Sequence, residues 1–150
     1  MSTKISTIHA SIISKLSSIY PTKNRIPNAY SIVDNPEQLL KNSYGLKYNG
    51  SERQSYEICS RRERASFSLV LTVEFFKLDT GLTSFDDPTT TILEDAETFK
   101  FEFSKTNMLN NTDIININTT STSGLANIQG DKYNFLSIEV NFEIDYFEDR

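Results

Sequence analysis

The sequence predicts an α+β fold, a mixed and mostly antiparallel sheet with amphipathic helices packed on one face. Three observations predict it. Residues 135–147 alternate strictly, with Leu136, Ile138, Val140, Phe142, Ile144 and Tyr146 set against Ser137, Glu139, Asn141, Glu143 and Asp145, the pattern of a half-buried strand. A second alternating run carries Phe67, Leu69, Leu71, Val73 and Phe75 on one parity, with Val70 and Phe76 on the other, as a more deeply buried strand would. Two further stretches repeat apolar residues every three or four positions, the period of a helix with one buried face.

In chain order, Ser2 or Thr3 caps a first helix striped by Ile5, Ile8, Ile12, Leu16 and Ile19, with Ile13 widening the stripe. Pro21 stops it, and Pro27 keeps residues 26–33 irregular or in a short strand. Asn35-Pro36-Glu37 reads as a cap, a first-turn proline and an early acid, opening a short helical turn through Leu39, Leu40 and Lys41. Residues 43–48 look extended, with Tyr44, Leu46 and Tyr48 on one face. Asn49-Gly50, the strongest tight-turn dipeptide, then predicts a hairpin into residues 52–59, where Tyr56 and Ile58 share a parity.

After the second alternating run, residues 78–85 read as a loop. Asp87-Pro88 starts another helix, striped by Ile92, Leu93, Ala96, Phe99 and Phe103; Phe101 leaves that stripe, and Phe99, Phe101 and Phe103 also fit a strand. Residues 112–122 form a Thr- and Asn-rich edge-like strand with Ile115 and Ile117 opposed to Ile114, Asn116 and Asn118, residues 121–131 a polar loop, and Glu148-Asp149-Arg150 a frayed end. No repeat and no linker-like composition divides the chain, so 1–150 reads as a single domain.

Composition narrows the function. A hydrophobic content of 37%, with ten Phe and seven Tyr, is enough for a packed core. The net charge of −5 argues against a general binder of nucleic acid, because an acidic field repels phosphate. Cys59 has no partner for a disulfide, which fits a reducing compartment. Polar residues from Ser6 to Lys15 interrupt any signal-like apolar run, and no apolar window approaches the ~20 residues of a membrane span, so cytosolic synthesis without a membrane is expected. The Asn-x-Ser/Thr triplets at Asn49, Asn110 and Asn118 carry meaning only in a secreted chain.

Catalytic signatures are missing. There is one His, one Cys and five Gly, with no GxGxxG, P-loop or HExxH, and the acid pairs Asp86-Asp87 and Glu94-Asp95 suit helix starts and solvated faces. No enzyme activity, metal or cofactor is expected. The densest positive charge, Arg61-Arg62-Glu63-Arg64, reads either as a solvated hairpin tip or as a docking finger in which Arg61, Arg62 and Arg64 meet carboxylates of a partner.

The order of an N-terminal helix, a strand near residues 44–49, a paired-strand core at 67–75, a second helix and a closing strand Ser137-Ile-Glu-Val-Asn-Phe-Glu-Ile-Asp-Tyr146 resembles tail terminator and tail-completion proteins of long-tailed bacteriophages. Residues 112–131 are more polar than a well-packed closing hairpin of that pattern. The resemblance implies a virion protein made in the host cytoplasm. It implies a homo-oligomeric ring, a hexamer, that caps the tail tube, meets the head connector or neck protein, and lets DNA pass without specific binding. Glu139, Asn141, Glu143 and Asp145 are the candidate lumen or subunit seam, the alternative being a solvated sheet face; Arg61, Arg62 and Arg64 are the candidate interface. The alternatives are a head–tail connector in the neck and a small non-enzymatic cytosolic module binding through a sheet edge.

Overall fold

The alternating C-terminal run becomes the central strand, β6 (Tyr133–Asp149), and it holds the rest of the sheet together. On one side it pairs along its whole length, antiparallel, with β3 (Arg61–Phe76). On the other it pairs first with β5 (Ala126–Gln129) and then with β4 (Ile114–Thr122), also antiparallel. Beyond β3 lie β2 (Asn42–Arg53), antiparallel, and the two-residue β1 (Asn24–Arg25), parallel to β2 at Ser43 and Tyr44. The order β1-β2-β3-β6-β4 with β5 beside β6 makes the sheet mixed and mostly antiparallel, as the sequence predicts. These features come from a computed structural model that describes residues 4–32, 34–36, 42–54, 61–76, 88–105, 108–129 and 133–149.

Two helices lie on one face. α1 (Lys4–Ile19) buries Ile8, Ile12 and Leu16, with Ile5, Ile13 and Ile19 at the margin, and α2 (Pro88–Phe103) buries Ile92, Ala96, Phe99 and Phe103. Helical geometry decides the ambiguity over Phe99, Phe101 and Phe103. Residues four apart share a face, so Phe99 and Phe103 pack with ring centroids 4.3 Å apart, while Phe101 turns outward beneath the Lys105 ammonium. Leu93, assigned to the stripe by sequence, is exposed. Beneath the helices the registers place Phe67 against Phe142, stacked at 5.5 Å, and Phe142 also touches Phe99 at 5.2 Å and Phe103 at 5.6 Å. Burying each such ring is worth about 2–3 kcal/mol, and each aromatic contact adds about 0.5–1.5.

The far end of α1 is tied to α2 through polar groups. Tyr20 is buried and donates its hydroxyl to the Asp95 carbonyl at 2.6 Å, and the Lys23 ammonium lies 2.7 Å from the Asp95 carboxylate. Burial first, and then the Asp95 charge, push the Tyr20 phenol well above its ordinary pKa; burial followed by Glu63 does the same to Tyr146.

The opposite face is not wholly bare. Ile26, Ala29 and Ile32 fold over β2 and join Val70, Ile128 and Phe135 in a second, smaller core. The backbone there turns through a 3₁₀ segment, Ala29–Ser31, where the Asn28 side chain accepts from the Tyr30 amide at 3.1 Å. Gly45 makes this contact possible, since a Cβ at that position would stand 2.9 Å from the Ala29 Cβ.

Five sequence expectations are corrected. Asn49-Gly50 is not a hairpin turn; β2 takes three steps from Tyr48 to Ser51 where β3 takes two from Phe67 to Ala65, a bulge that Gly50 accommodates at φ 107°. Pairing with β3 therefore continues to Arg53, and the Arg61-Arg62-Glu63-Arg64 run opens β3 rather than forming a tip. In β4 a bulge between Ile114 and Asn116 leaves Ile115 exposed, while Ile114 and Ile117 pack inward. Part of the expected loop 121–131 is β5, anchored by buried Ile128, and the expected fray at 148–149 is still strand. The helical turn through Leu39 to Lys41, the strand around Tyr56 and Ile58, the loop 78–85 and the Asp87 cap lie outside the described residues.

Gly45→Ala should destabilise the fold by about 1–3 kcal/mol, because two Cβ atoms have no flexible side chain to yield, whereas a loss under 0.5 kcal/mol in urea unfolding would contradict the packing of residues 26–32 on β2. A second expectation concerns alkali. Folded phenols held above their ordinary value stay neutral while the unfolded chain releases its protons, so stability is intact below about pH 10 and falls as pH rises beyond it. Tyr20→Phe should make that fall in the urea midpoint shallower between pH 9 and 11; identical slopes for the two proteins would show that Tyr20 is not the group responsible.

Candidate interaction face

Strand parity builds the candidate surface. Side chains that point away from the helices on β2, β3 and β6 meet the second core at one end of the sheet, and at the other end they form an open polar face. A chain of hydrogen bonds crosses all four long strands there. The Asn49 amide donates to Ser68 Oγ at 2.7 Å, Ser68 donates to Asn141 Oδ1 at 2.6 Å, and Asn141 Nδ2 donates to Ser121 Oγ at 2.9 Å. Ser68 is almost fully buried within this row, with its donor and one acceptor position both used.

Charged pairs flank the row on either side. Lys47 Nζ lies 2.6 Å from Glu139 Oε1. Arg64 Nε and Nη2 grip both oxygens of Asp145 at 2.7 and 3.3 Å, and Nε also lies 3.5 Å from Glu143 Oε2. The hydrogen bond to Asp145 is the main reason that the Arg64 guanidinium is held even more firmly protonated than usual, followed by the Asp145 charge itself. Each of the two cations is thus committed to a carboxylate of its own chain.

This geometry brings Glu139, Asn141, Glu143 and Asp145 together on one face, as the alternation predicts. It divides the arginines. Arg64 joins the carboxylates, Arg62 lies 5.5 Å from the Phe147 ring centre, and Arg61 is exposed at the start of β3. Sequence reasoning missed Lys47, Asn49, Ser68 and Ser121. The signal for the first and third was present, since Lys47 lies between Leu46 and Tyr48 and Ser68 between Phe67 and Leu69, so the parity that buries the apolar neighbours sends both to the other face.

Open grooves of about 530 Å³ beside α1 and about 280 Å³ between Tyr20 and Asp95 lie on the helical side. A cavity of about 170 Å³ between the end of α2 and β4 is bordered by Phe103, Lys105, Met108 and Ile117, with no carboxylate in its lining. Among the described residues, no three His, Cys, Asp or Glu side chains converge as a metal site requires, and no helix is long and apolar enough to cross a membrane. A polar face crossed by hydrogen bonds and ion pairs is suited to contact with a wet surface.

Ser68→Ala should cost about 1–2 kcal/mol, because it removes the hydroxyl that joins Asn49 to Asn141. Urea unfolding of the variant checks this, and unchanged stability would mean that water replaces the row at no cost. Comparison with known proteins adds no assignment: no protein-family model matches the chain, and no curated protein matches it significantly.

Proposed function

We propose that this chain is a structural, non-catalytic virion protein that assembles as a ring, a hexamer, capping the tail tube of a long-tailed phage and joining it to the head. The observation that carries this reading is the asymmetry of the sheet, with helices on one face and, on the other, a polar surface of paired charges beyond the small second core. DNA that must slide through a ring meets trouble wherever a mobile cation can displace its counterions. On this face Lys47 and Arg64 are held by Glu139 and Asp145, Glu143 and Glu52 lie near Arg64, and Arg62 lies over the Phe147 ring. A lumen of this composition lets phosphate pass without gripping it. The helical layer then faces outward, where tube and connector subunits contact the ring.

The same surface suits a head–tail connector in the neck, and particles lacking the protein separate the two positions. Tails of irregular length, detached from heads, are the outcome for a terminator; tails of normal length without heads point to the neck. Infectious particles of normal form, together with a purified chain that stays monomeric at all concentrations and ignores tail-tube protein, would overturn the proposal.

A further inference from the structure

Among the described residues, both outer edges of the sheet lack a further strand over the same span. β1 covers β2 only at Ser43 and Tyr44, so residues 46–53 have no strand on their outer side among the described residues, and β4 ends the sheet on the other side. The registers show that these stretches lie level. Tyr48 aligns through Phe67 and Phe142 with Thr119, and Arg53 aligns through Glu63 and Tyr146 with Ile114. Three successive antiparallel pairings make β4 run opposite to β2.

We infer that copies of this chain join edge to edge, β4 of one subunit adding antiparallel beside residues 46–53 of its neighbour's β2, so that one sheet continues around the ring. The inference rests on the ring reading and names its seam. A heterologous contact between two different edges is the kind that closes a ring, and closure leaves no edge exposed.

Backbone directions fit. Phe147 donates its amide to the Asp113 carbonyl and Ser123 donates to the Glu139 carbonyl, so odd-numbered residues of β6 turn their polar groups toward β4. Ile117 and Thr119 lie opposite the even-numbered Ile144 and Phe142, and their amides therefore point away from the sheet. On β2 the Tyr48 amide also points outward, where it donates to the hydroxyl of Tyr30 at 2.7 Å. Tyr30 is 65% exposed and occupies the place of a strand partner, protecting the edge until another strand displaces it.

The level, antiparallel match of the two edges selects a second copy as the occupant, and charge does not oppose it. In a chain of net charge −5, residues 114–129 contain no ionisable side chain and no proline, so this edge lacks the lysines and prolines that keep edge strands apart. It is a place where another acidic copy can approach without like-charge repulsion. At the end of the seam, the level alignment sets Ile114 of one copy beside Arg53 of the next. Exposed apolar side chains, Tyr48 on one edge and Ile115 on the other, are available to be covered.

The test joins two measurements on the full chain. Thr119→Pro removes one outward amide at an edge where proline is tolerated, and should shift the native mass from ring to single subunit with the circular dichroism spectrum unchanged. In a Cys59→Ser background, Glu52→Cys with Asn116→Cys, which share a level and are both exposed, should give a ladder of disulfide-linked multimers on oxidation, while neither single variant does. A ring that survives Thr119→Pro and yields no ladder overturns the seam and leaves the ring standing. Efficient dimers from Asn116→Cys alone would show β4 paired with β4 and overturn it too. A wild-type chain that never assembles removes both the seam and the ring; if Thr119→Pro fails to fold, the cysteine ladder decides alone.

Discussion

The pairing of β3 with β6 is the constraint on which the molecule depends. It runs from Arg61 opposite Asp149 to Phe76 opposite Tyr133, and its register decides which side of the sheet every later residue serves. With Phe67 opposite Phe142, the odd positions of β3 and the even positions of β6 both point at the helices. A slip of one residue would carry Glu143 beneath Phe99 and expel Phe142 into water. The desolvated carboxylate and lost aromatic packing together would exceed the stability of an ordinary domain of this size. The helices need no strong propensity of their own, because the platform supplies the surface that makes them stable.

The same register writes the polar face. Once Phe142 and Ile144 are fixed inward, Asn141, Glu143 and Asp145 must point outward, and β3 places Ser68 and Arg64 beside them. The face that results is quieter than its carboxylates alone suggest, because Arg64 has been drawn to an acid on the neighbouring strand and Lys47 to one on the next but one, while Arg62 lies over the Phe147 ring. Such pairs contribute little to stability at a partly exposed site. They do hold Lys47 and Arg64 beside carboxylates, the property that the proposed passage for DNA would use.

The long alternating runs and both helices were legible because their periods of two and of about 3.6 are local properties, repeated over enough residues to leave no alternative partner for the apolar side chains. The polar face followed from the same alternation at Glu139, Asn141, Glu143 and Asp145. What misled was information held elsewhere in the chain. Asn49-Gly50 has the chemistry of a turn, but β3 extends back to Arg61 and keeps β2 straight, so the glycine serves a bulge instead. Arg64 reads as part of a charged tip until Asp145 is placed opposite it by a pairing 81 residues away in sequence. Ile128, one apolar residue in a polar stretch, reveals its strand only when Phe135 and Val70 are seen beneath it.

In the proposed ring, the level edges and the two unlike faces would set the strands along the axis and the helices outside. A cryo-electron-microscopy reconstruction of the assembled protein tests this most directly. The account predicts a closed ring in which the sheet lines the channel and Asn141 and Glu143 face it, with α1 and α2 on the periphery. A ring whose channel is lined by helices, or a field of single subunits at every concentration, would contradict it.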